Sequence, residues 1–213
     1  MTMVRWRKVK TARTAARPDP ANSRTAHIVP FVVAGALSLA ALGIAAASGT
    51  GIEEQAKLAA RYTARASFAI FLIVYLASSL FRLWRDGGSI ALVKRRRQWG
   101  LAFALSHTIH LAALAWYSIT FQHAPRPTTL LGGGLGYALL YAMVLTSNDA
   151  SQRAMGIWWK WLHTVGIHWL WFIFTFSYFG RIFGPPDMRV QGMILFPVCL
   201  AALALRIVAH RRT

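Results

Sequence analysis

Four histidines in two otherwise uncharged stretches are the residues with chemistry to offer. His107 and His110 lie in the run from Gln98 to Phe121, and His163 and His168 in the run from Trp161 to Gly180. A neutral imidazole ligates iron, zinc or copper and carries protons near neutral pH. On a helix, His107 and His110 project about 60° apart, so either can meet a partner helix. His163 and His168 are about 140° apart around theirs, and both cannot face one interior point. His27, His123 and His210 fall at span edges, in a loop or in the tail.

The rest of the composition narrows that chemistry. All six acids, Asp19, Glu53, Glu54, Asp86, Asp149 and Asp187, miss the apolar runs, which removes the usual carboxylate carriers of proton or cation transport. Cys199 is the single cysteine, so no intrachain disulfide and no cysteine-based zinc or iron–sulfur site can form. Histidines on two helices that run the same way, in a bundle without acids or thiols, suit bis-imidazole ligation of haem b between apolar and aromatic side chains. Zinc or copper would want a third ligand, and none is evident at this depth. Axial rise makes His107 level with His163, or His110 level with His168, and leaves the pairing open. A small transporter or channel with a histidine metal or proton site is the alternative of a different class.

Hydropathy and charge supply the elements that must position these rings. The 213 residues are 56% hydrophobic and carry 24 Lys+Arg against 6 Asp+Glu. The basic residues fall between long apolar runs, as in loops flanking membrane spans, which argues for a lipid bilayer partner and no nucleic acid. A bilayer core about 30 Å thick needs about 20 apolar residues per helix. The expected fold is all-α, an integral membrane six-helix bundle with spans at about 28–48, 66–84, 98–121, 128–147, 157–180 and 190–208. Residues 1–27 read as a disordered basic cytoplasmic arm, and 28–213 as the transmembrane domain. With both termini cytoplasmic, inward segments hold 18 of the Lys and Arg residues and outward loops six, in accord with the positive-inside rule. Arg97, Arg153 and Lys160 sit at the cytoplasmic ends of the histidine helices, where they could pair with haem propionates. Gly132 and Gly136, four apart in an apolar run, suit close helix packing.

Two stretches resemble a known family. Arg96-Arg97-Gln98-Trp99-Gly100-Leu101, with Phe103 and then His110, is similar to the third-helix signature of ferric-reductase-like transmembrane proteins. Thr146-Ser147-Asn148, Gly156, Trp158 or Trp159 and Leu162-His163 resemble the segment leading into that family's fifth helix. The nearest branch is the haem-binding membrane subunit of the bacterial methionine-sulfoxide reductase system, and the likeness is strongest over Lys94 to Gly180. The resemblance implies a bacterial inner-membrane cytochrome b-like oxidoreductase subunit with His110 and His163 as axial ligands of the metal. Quinol or a flavin reductase would donate electrons, and a periplasmic redox partner or outward acceptor would take them. The branch has a further histidine thirteen residues after the Leu-His element. Phe176 stands there in this chain, which implies a single haem.

Overall fold

The computed structural model describes residues 20–125 and 127–212, with side chains from residue 27 onward. Six long helices form a bundle: α1 (Pro20–Ser48), α2 (Ile52–Leu83), α4 (Arg96–Thr120), α5 (Pro127–Leu145), α7 (Ile157–Ile182) and α8 (Pro186–Arg211). Two short helices, α3 (Gly87–Lys94) and α6 (Asp149–Met155), precede α4 and α7. There is no strand among the described residues. Helix is the form that satisfies each backbone N–H and C=O within its own segment, as a hydrocarbon environment requires.

Four stretches, His27–Ser48, Ile52–Leu83, Pro127–Leu145 and Pro186–Arg211, are long and apolar enough to cross a membrane. α4 and α7 match them in length, at 25 and 26 residues. Each carries two histidines, with two tryptophans on α4 and five on α7, and these polar rings set α4 and α7 apart from the other four. The expected basic arm lies, through residue 19, outside the described residues, and from Pro20 the chain is already helical. α2 begins 14 residues before the predicted span at 66, because Glu53, Glu54, Lys57, Arg61 and Arg65 end an apolar run without ending a helix.

Both short helices start on a side-chain cap. Asp86 accepts a hydrogen bond from the Ser89 N–H at 2.7 Å, which holds its carboxyl below the usual carboxylate range. Asn148 Oδ1 accepts one from the Ser151 N–H at 2.8 Å. Gly156, at φ 52°, then turns the chain from α6 into α7, a conformation that costs a side-chain-bearing residue more. In this way the chain re-enters the bundle just before each histidine helix.

Small residues set the close contacts. Ala34, Ser38, Ala41 and Ala45 form one buried face of α1, which packs on α2 and α4. Ser38 Oγ and Ser106 Oγ, both fully buried, share a hydrogen bond of 2.9 Å. Gly132 and Gly136 turn toward α7, where the Trp169 indole N–H donates to the Gly132 carbonyl at 3.1 Å.

α7 packs closely on α5 and α8 but is held off α2 and α4 by aromatic rings. Phe174 lies 5.0 Å from Phe68, 5.1 Å from Phe71 and 5.5 Å from the His107 ring, centroid to centroid. Phe103 joins this layer against Phe71 at 5.4 Å, and Tyr178 against Phe68 at 5.0 Å. Each such pair adds about 0.5–1.5 kcal/mol beyond its buried area.

Where α7 meets α8, a Cβ on Gly192 would come within 2.7 Å of the Ile182 nitrogen and 2.8 Å of the Tyr178 oxygen, both backbone atoms. Gly192→Ala is expected to destabilise the bundle by about 1–3 kcal/mol as the helices are wedged apart. Gly180→Ala, which meets nothing within 4 Å, leaves it unchanged. Thermal unfolding of the two variants in detergent checks the contrast, and equal midpoints would contradict it.

Candidate functional site

The aromatic layer that spaces α7 from α4 leaves the space beneath it open. A cavity of about 520 Å³ lies between the two helices, at the end where α4 and α7 begin. Val74, Leu101, Phe103, Leu140, Ile167 and Leu170 give it apolar walls. Arg96, Arg97, Lys160 and Arg206 line it too, with Asp149 as a counter-charge. This is the size and character of a site for a flat organic molecule bearing negative groups at one edge.

His163 faces this space with one nitrogen prepared. Its Nδ1–H donates to the Trp159 carbonyl at 3.0 Å, and a carbonyl can only accept, so Nδ1 carries the proton. Nε2 is then the lone-pair nitrogen, and it is buried without a hydrogen-bond partner. A buried acceptor without a partner carries a desolvation cost. Trp159 fixes the ring further, stacking on it at 4.0 Å between centroids, while its own indole N–H donates to the Thr146 carbonyl at 2.9 Å. Donation of the second ring N–H to a backbone carbonyl is the usual way a metal-ligating histidine is oriented.

His107 and His110 sit elsewhere, in a packed cluster with ring centroids 5.3 Å apart. Ser67 Oγ gives its proton to the Ala64 carbonyl and so accepts from His107 Nδ1–H at 3.0 Å. Thr63 Oγ1 likewise donates to the Ala59 carbonyl and accepts from His110 Nδ1–H at 3.3 Å. The Tyr137 ring stacks on His107 at 4.7 Å, and its hydroxyl donates to the His107 carbonyl at 3.0 Å. His168 donates from Nδ1 to the Thr164 carbonyl at 2.7 Å and meets Tyr75 edge-on, away from the cavity. In all four histidines Nε2 is therefore the free nitrogen.

Height along the bundle separates the two groups. His107 touches Phe174, which stands about three turns, or about 16 Å, further along α7 than His163. The structure therefore brings His107 and His110 to one point and His163 to another. It does not bring His110 and His163 together. Of the expected cations, Arg97 and Lys160 line the cavity, whereas Arg153 lies exposed on α6 outside it. Sequence reasoning did not single out Arg96 and Arg206. Arg206 donates to the Tyr75 carbonyl at 2.8 Å and lies over that ring at 4.7 Å. Its signal was its place in the last turns of the sixth apolar run, at the same end as Arg97. Among the described residues, no three His, Cys, Asp or Glu side chains gather to hold a metal ion.

Comparison with known proteins points to one group. The chain is similar to the protein-methionine-sulfoxide reductase heme-binding subunit MsrQ of Salmonella paratyphi B, Salmonella newport and Salmonella enteritidis. In each case it is 29% identical over 161 residues, covering 68% of this chain and 73% of the relative. No family model matches the chain, and no solved structure matches it.

Arg97 meets Asp149 at 3.0 Å, but the two side chains are 46% and 75% exposed, so solvent screens the pair. Asp149→Asn is expected to cost less than about 1 kcal/mol in thermal unfolding, because a solvent-screened pair adds little to the fold. A larger loss would make the pair structural.

Proposed function

We propose that this chain is a membrane-embedded electron-transfer subunit that holds haem b in the cavity between α4 and α7, with His163 Nε2 on the iron. The observation that carries the reading is the buried, unpartnered Nε2 of His163 beside a cavity with apolar walls and cationic edges. The similar Salmonella proteins are named as a heme-binding subunit, which supports the same cofactor.

The residues present fit the group. His163 would supply an imidazole ligand, its proton held on Nδ1 and Nε2 left to bind the metal. Trp159 orients it, and the apolar walls keep water away. Arg96, Arg97, Lys160 and Arg206 are placed to receive two propionate carboxylates through charge-assisted hydrogen bonds. When bound, haem supplies an iron that cycles between oxidation states and carries one electron at a time. The α4 wall offers Gly100, Leu101 and Phe103, none of which ligates iron, so His110 is not the partner of His163 in this arrangement.

In the same reading all six long helices cross the bacterial inner membrane, with both termini and the cationic end of the cavity on the cytoplasmic side. The histidines of α4 and α7, none of them an exposed residue, then lie within the bundle at a modest insertion cost. Electrons arrive from quinol or a flavin reductase and leave to a periplasmic redox partner. A zinc or proton transporter is the weaker reading, because no set of three ligating side chains is gathered among the described residues.

Visible spectra of protein expressed with ample haem test the reading. The wild-type chain is expected to show a Soret band and sharp bands on reduction, His163→Ala to lose them, and His110→Ala to retain them. Loss of haem in His110→Ala as well would restore the paired ligation that the sequence resemblance implies. A wild-type chain that takes up no haem would overturn the proposal.

A further inference from the structure

The opposite end of the bundle, where α2 and α8 begin and α7 ends, holds a second hollow of about 330 Å³. Glu54, Lys57, Arg61 and Arg65 line it from α2, and Asp187 and Gln191 close it from α8. The three cations are spaced four apart and so share one face of α2. On the orientation argued above this end faces outward, where the charge rule disfavours Lys and Arg. Six such residues remain there, and three of them line this hollow, with Arg181 and Arg189 on the adjoining turns of α7 and α8.

Two carboxylates, Glu54 and Asp187, line the hollow and offset only half of the charge of Lys57, Arg61, Arg65 and Arg181. Asp187 pairs with Arg61 at 2.9 Å. Glu54 is engaged by Thr50, whose N–H and hydroxyl both donate to it. Among the described residues, neither Lys57 nor Arg65 makes an ion pair within 4 Å. The Arg65 Nε is buried without a hydrogen-bond partner, while its guanidinium lies 4.8 Å over the Tyr62 ring. Arg181 donates to the Gln191 side-chain oxygen at 3.4 Å and lies over the Tyr178 ring at 5.2 Å. Like charges gathered in a hollow repel one another unless an anion enters, and an unpaired guanidinium donor asks for an acceptor with several oxygens.

We propose that this hollow is a binding site for a phosphate group, held by Lys57 and Arg65 with Arg61 and Arg181 beside them. Its place at the ends of membrane-length helices, with Tyr62 on its wall, puts it at the depth of lipid head groups. An anionic phospholipid and a free phosphate share the chemistry that the site recognises, and the lipid is the source that this depth favours. The inference does not depend on haem.

The test compares wild-type protein with Lys57→Gln and with the double variant Lys57→Gln, Arg65→Gln. In one arm, phospholipid that stays with the protein through detergent purification is quantified, phosphatidylglycerol against phosphatidylethanolamine. In the other, protein in nanodiscs of zwitterionic lipid is titrated with inorganic phosphate. Wild-type protein is expected to retain phosphatidylglycerol selectively and the double variant to lose about tenfold or more of that preference, as follows from removing hydrogen bonds to a charged group. Lys57→Gln, at an exposed position, keeps the fold and shows a smaller loss of the same sign. If lipid retention is unchanged but the double variant loses phosphate binding, the site stands with a soluble ligand. Equal lipid retention in all three proteins, with no phosphate binding to any, overturns it.

Discussion

A layer of aromatic rings sets the distance between α7 and the α2–α4 pair, and the site follows from that distance. Phe68, Phe71, Phe103, Phe174 and Tyr178 fill the interface at one height. Ring against ring keeps the two backbones further apart than the alanine and glycine contacts that join α1 to α2 or α7 to α8. Below the layer the helices stay separated, and smaller side chains do not fill the gap. A tightly packed apolar bundle would leave no such space. The cavity is thus a product of large residues placed above it, as much as of small ones, such as Gly100, on its wall.

The same layer divides the histidines. Above it, His107 and His110 are absorbed into the core by Ser67, Thr63, Tyr137 and Phe174, and each gives its Nδ1 proton to a hydroxyl that has already spent its own. Below it, His163 gives its proton to a backbone carbonyl one turn back and keeps a lone pair with nothing to receive. The tautomer is common to all four rings, and among them His163 is the one whose Nε2 is buried without a hydrogen-bond partner. That is the feature on which the proposed ligation rests.

Much of this could be read from residue order. The all-helical architecture, with stretches long and apolar enough to cross a membrane, follows from charge-free runs and a few flanking residues. Gly132 and Gly136 pack against α7 as their spacing implied. The early start of α2 was hidden because Glu53 to Arg65 are polar yet helix-compatible, so hydropathy marks where apolar surface begins and not where the helix does. The separation of His110 from His163 was hidden for another reason. Axial rise counted from an assumed span end carries an error of about a turn on each helix, and the lengthwise offset of α4 against α7 depends on side chains such as Phe174 meeting His107. Arg206 reaches the cavity from a helix distant in sequence, which spacing alone does not convey.

A structure of the haem-loaded protein tests the central claim most directly. The account predicts density for the macrocycle between α4 and α7, beneath Phe103, with the iron on His163 Nε2 and the propionates toward Arg96, Arg97, Lys160 or Arg206. Density at the His107–His110 cluster instead, or a macrocycle bridging His110 and His163, would contradict it.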